Sequence, residues 1–98
     1  MENQQWEIID PKTWKPTNDG DFITGVLVNK REDVGPNKSA LYTLDTGKEL
    51  IGIWGSTVLD NRMDLVQIGQ MIRITYKGTE QNKRGQATKI FKVERQKL

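Results

Sequence analysis

Turn signals cut the chain into short pieces, and the apolar residues between the cuts mostly alternate, a pattern that suits strands and little else. MIRITYKG is the clearest case. Ile72, Ile74 and Tyr76 fall on one face, and Arg73, Thr75 and Lys77 on the other. Four more pieces are rich in β-branched and aromatic residues: DFITGVLVNK (21–30), SALYTLDT (39–46), ELIGIW (49–54) and ATKIFKVER (87–95). Gly25, inside the first of these, reads as a bulge or sharp bend. Asp45-Thr46-Gly47-Lys48 turns the second strand back onto the third as a hairpin. Polar loops fill 31–38, around Gly35-Pro36-Asn37, and 79–86, around Arg84-Gly85.

One stretch changes period. In GSTVLDNRMDLVQIGQ, Leu59, Met63 and Val66 recur at i, i+4 and i+7, with Val58 and Leu65 flanking the stripe, so a short amphipathic helix is expected. Ser56 can accept a hydrogen bond from an early helical amide, and Gly69 marks the exit. Residues 1–19 carry Trp6, Trp14, Pro11 and Pro16 and read as an extended arm packed on a body of residues 20–98. Five short strands bury little as a flat sheet, and closing them into a barrel removes the edges. The expected fold is therefore all-β (mainly β with one short helix). The helix lies between the third and fourth strands and plugs one open end.

Composition narrows the chemistry. With no Cys and no His among 98 residues, disulfides, thiolate sites and the usual nucleophile–base pairs lack their side chains. An enzyme would be left with carboxylates or lysines, such as Asp60 and Asp64 at i, i+4 on the helix, which could hold Mg²⁺ or simply cover a solvent face. No cofactor is expected. No run of 18 apolar residues suggests a membrane span, and the acidic, polar start does not read as a secretory leader, so a cytoplasmic protein is expected. Charge is uneven: residues 73–98 hold eight basic and two acidic residues, while residues 1–72 hold seven and eleven. A cationic end on a weakly acidic body suits a polyanion, although a solvated basic strand would read the same way.

The strand order, with LYTLDTGKELIGIWGSTVLDNRM, VQIGQMIRITYKG and KIFKVE, resembles OB-fold single-stranded-DNA-binding proteins of the small phage and mobile-element type. The resemblance covers about Gly20 to Glu94. It implies a five-stranded Greek-key barrel that binds on the outer face of the second and third strands, between loops 30–38 and 78–86. It also implies a non-catalytic role in DNA replication or recombination. The ligand would be single-stranded DNA, with RNA as the alternative, bound by a homodimer or a cooperative array. A small-barrel protein-interaction module is the other alternative, since OB folds serve several ligands. The cellular replication type ends in a long acidic tail that recruits partners. This sequence closes on Glu94-Arg95-Gln96-Lys97-Leu98, so that recruitment is not expected.

Single strands call for flat rings on which bases stack and cations that follow the phosphates. Trp54 is either an outward platform above a bare Gly52, if Ile51 and Ile53 point inward, or a core residue. Tyr42 alternates with Leu44 and is either buried at the barrel rim or a second stacking ring. Tyr76, Phe91 and Phe22 read as core, and Trp6 and Trp14 as packing for the arm. The cations assigned to phosphates are Lys38, Lys48, Arg73, Lys77, Lys83 and Arg84. The last two are the strongest pair, adjacent at a loop tip, whereas Lys30 and Arg31 are diluted by Glu32 and Asp33.

Overall fold

One long strand organises the rest. In the computed structural model, which describes residues 12–36, 38–81 and 83–97, β2 (Phe22–Val34) is antiparallel to β5 (Met71–Gln81) at its start and to β3 (Ser39–Asp45) further on. β4 (Leu50–Trp54) pairs antiparallel with β3, and β6 (Ala87–Arg95) with β5. The helix α1 (Thr57–Met63) lies between β4 and β5 and packs against β6.

The protein is mainly β, but the sheet is not the expected five-stranded closed one. The arm contributes a strand of its own: β1 (Lys12–Thr13) lies parallel to β4, and the order is β1-β4-β3-β2-β5-β6, with β1 and β6 at the edges. The reason is local. β1 and the amide of Trp14, which donates to Gly52 O at 2.8 Å, occupy the edge of β4 that a closing strand would use. The two edges meet through side chains instead, with the Trp14 ring 6.2 Å from that of Phe91. Trp6 and the rest of 1–11 lie outside the described residues.

The core follows the alternation. Leu27, Leu44, Ile53, Ile72, Ile74, Tyr76 and Phe91 line the inner face, and Leu59, Met63 and Val66 close over them from the helix and the turn after it. Ser56 caps α1 by accepting from the Leu59 amide at 3.4 Å. The helix is shorter than its sequence pattern. It stops at Met63, and Leu65 therefore turns out to solvent instead of flanking the stripe. Both ends of α1 are tied to the sheet: Tyr42 Oη donates to Asp60 Oδ1 at 2.5 Å, and Lys30 Nζ donates to Met63 O at 2.7 Å, satisfying a carbonyl of the last turn.

Gly25 is not a bulge. Pairing with β5 is continuous from Phe22 to Val26, and the register shifts on β2 fall between Leu27 and Asn29 and between Arg31 and Val34. Gly25 is needed because β3 passes so close that a Cβ there would lie 2.7 Å from Asp45 O. Those two shifts also carry β2 through Glu32 and Asp33, where a loop was expected.

Candidate nucleic-acid interface

Cross-strand register defines the outer surface, because residues directly opposite one another in a sheet share a face. Leu41 faces Arg31 on one side and Trp54 on the other, and Thr43 faces Asn29 and Gly52. The next row inward, Lys30-Tyr42-Ile53, points to the core and the helix.

Trp54 therefore takes the outward alternative. Trp54 is 42% exposed as a residue, and its ring leans on the β2–β3 turn, where its Cη2 would be 3.6 Å from a Cβ on Gly35. Gly35 has a φ of 76°, which a side chain resists, so the turn keeps its bare backbone against the indole. Val34, Gly35, Pro36, Ser39 and Trp54 line a cleft there. Gly52 is not the bare floor expected beneath the ring. It is buried, with Leu41 Cδ1, Lys12 O and Thr13 Cγ2 all within 4 Å of where its Cβ would sit. The indole therefore borders the cleft at the β2–β3 turn, not an open floor along its own strand.

Tyr42 takes the core alternative: it is 5% exposed, with its hydroxyl held by Asp60. Burial first, and then the Asp60 carboxylate, push its phenol far above the ordinary value. No face of that ring is open to a base. Asp60, half of the candidate Mg²⁺ pair, is engaged by the same bond, and among the described residues no three acidic groups cluster as a metal site. Phe22 corrects the sequence reading. It is 61% exposed, because Ile23, Gly25 and Leu27 face inward and Phe22 has the opposite parity.

The cations do not form one group. Lys38 sits in the β2–β3 turn beside Ser39, at the lip of the Trp54 cleft, and Arg31 lies one strand beyond Leu41. Lys48 lies in the turn before β4, at the end opposite Trp54. Arg73 is cross-strand from Glu94, donating to its Oε1 from Nη2 at 2.9 Å and from Nε at 3.1 Å. Those bonds hold the exposed Glu94 carboxyl below the usual carboxylate range. Arg73 pairs with Thr24, seven positions from Arg31 along β2, which puts it roughly 20 Å from the Trp54 row. Lys77 stands four residues further along β5. Lys83 and Arg84 lie exposed at the tip of the β5–β6 ribbon, which a shift at Gly78 (φ 86°) bends away from the core pairs.

Sequence reasoning sets Arg31 aside, because Glu32 and Asp33 dilute it; the strand runs on through both, and the register shift between Leu27 and Asn29 reverses the alternation and turns Arg31 outward. It also assigned Lys30 to the loop, whereas the helix terminus holds it. Among the described residues, no helix is long and apolar enough to cross a membrane. Compared with models of known families, with curated proteins and with solved structures, the chain finds no match in any of the three.

Proposed function

We propose that this chain is a non-catalytic protein of OB type that binds single-stranded DNA with little sequence preference in the cytoplasm, serving replication or recombination of a phage or mobile element. The order β4-β3-β2-β5-β6, with the helix between β4 and β5, supports the OB reading. One observation carries the ligand: a half-exposed indole stands on the outer sheet face beside an open cleft, in one cross-strand row with Arg31 and next to Lys38.

A base stacks on Trp54, and the ring already rests against the Gly35 turn, so little rotamer freedom is lost on binding. Arg31 and Lys38 take the flanking phosphates, and Lys83 and Arg84, at the far end of the sheet, meet only a strand long enough to run on to the ribbon. Stacking ignores base identity, since every base presents a π-face. A single unit of this kind covers about 4–16 nucleotides, so useful affinity calls for a homodimer or a cooperative array.

The test is an ionic-strength series with single- and double-stranded DNA side by side. Each phosphate contact on a single strand contributes a slope of about −0.7 in log K against log salt, so on an oligomer long enough to reach the ribbon the four cations give about −3. A slope near zero, or equal affinity for duplex, would falsify the proposal. RNA of the same sequence as competitor reports whether the 2′-hydroxyl matters; a clear preference for RNA moves the assignment to an RNA-binding protein.

A further inference from the structure

Phe22 has no part in the contact just described. It is the first residue of β2, more than half exposed, and its cross-strand row runs Phe22-Thr75-Lys92. The next row is Thr24-Arg73-Glu94, and Lys77 follows Thr75 at the next outward position of β5. A large apolar ring thus lies among three cations and one carboxylate. Glu94 holds two of the cations, with Lys92 Nζ 3.7 Å and Arg73 Nη2 2.9 Å from the same oxygen. The neighbouring Asp21 carboxylate is turned away onto the amides of Thr17 and Asn18, both at 3.0 Å.

We propose that Phe22, Arg73, Lys77 and Lys92 form a second contact for a nucleic-acid single strand, reached only by ligands long enough to run along β2 from Trp54. The inference rests on the single-strand reading above. Three things favour this occupant. The excess positive charge suits a polyanion, and phosphates can replace Glu94 between two cations it already holds together. The ring stands on an open sheet face with Thr75 beside it, which admits a flat base. The outward side of β2 also joins the two sites, with Val28, Asn29 and Arg31 all exposed between them. Nine positions separate Phe22 from Arg31, or roughly 25–30 Å of strand, so a short oligomer bound at Trp54 stops before Phe22.

Oligothymidines of about 5 and about 20 nucleotides, one near the lower limit of the span of such a unit and one beyond its upper limit, separate the two contacts. Phe22→Ala should weaken the longer oligomer about tenfold and leave the shorter one unchanged. Because Phe22 lies outside the core, the variant keeps its fold, and thermal unfolding checks that it does. Lys92→Gln should lower the salt slope of the longer oligomer by about 0.7. Unchanged affinity of Phe22→Ala for the longer oligomer overturns the second contact, as do equal losses at both lengths. A wild-type mass in solution that falls on Phe22→Ala overturns it too, because that face would then join two copies of the chain. Trp54→Ala on the shorter oligomer keeps the two readings apart. Loss there with an indifferent Phe22 leaves the single-strand assignment standing, whereas no binding of the wild-type chain at either length removes both.

Discussion

The two hairpins that bear the candidate contacts are built differently. The β2–β3 turn is backed by packing: Trp54 leans on Gly35, Gly55 donates to Ala40 O at 2.8 Å just behind, and Leu41 is buried between Trp54 and Arg31. Past Gly78, the β5–β6 ribbon has backbone pairing between Thr79–Gln81 and Ala87–Lys89, and none of those residues joins the core. The first hairpin holds a ring in place before a ligand arrives. The second carries charge, which acts over several ångströms and needs no fixed geometry. Stacking thus demands a supported site, and phosphate contact does not.

If that contrast holds, neighbouring residues should fail in different ways. Ile53 and Trp54 are adjacent on β4 but face opposite sides. Ile53→Ala should cost about 2–5 kcal/mol of stability in chemical denaturation, since it empties a buried site. Trp54→Ala should leave the denaturation midpoint close to wild type and weaken oligonucleotide binding by about 1–3 kcal/mol, read by titration. A Trp54→Ala protein that unfolds as easily as Ile53→Ala would erase the distinction.

Tyr42 sharpens it from below, because its hydroxyl ties the helix to the strand paired with Trp54. Tyr42→Phe leaves a half-buried Asp60 carboxylate without its donor and should destabilise by about 1–3 kcal/mol. The pH dependence has a definite sign. The folded phenol holds its proton above the ordinary value of about 10, so its contribution is complete below that pH and is lost as pH rises beyond it. Denaturation midpoints of wild type should therefore fall more steeply above pH 10 than those of Tyr42→Phe. Parallel curves would mean that the bond carries no weight. The smallest effect belongs to the ribbon. Lys83→Gln should reduce the salt slope of a long oligomer by about 0.7 with no change in thermal midpoint. A Lys83→Gln protein that unfolds early would show that the ribbon tip is packed after all.

Much of this was legible without coordinates. MIRITYKG announces its two faces, and the structure buries Ile72, Ile74 and Tyr76 as the alternation requires. Ser56, Leu59 and Met63 mark the helix start and its buried stripe. Phe22 is legible too, since its parity opposes that of Ile23 and Leu27, and the core reading of it does not follow that alternation. Arg31 and Lys30 were not, because their roles depend on a strand that outruns its own composition through two register shifts. The candidate site divides in the same way: the residue types were readable, and their grouping was not. Arg73 and Lys83 belong to the same basic segment, 73–98, yet one is paired with Glu94 beside β2 and the other rides a ribbon tip.

From its residues alone, the chain determines a mainly β protein with one capped helix, no thiol or imidazole chemistry, and an indole and cations in strands and turns. Those properties come from periods of two and three to four residues, which each segment carries by itself. Folding decided that Trp54 faces out and Tyr42 in, that Lys30 serves the helix, and that the arm takes the edge of β4. Each of these is a choice between faces or partners far apart in sequence. Register and edge pairing make that choice by the burial and hydrogen bonding of the whole sheet, which no single segment encodes.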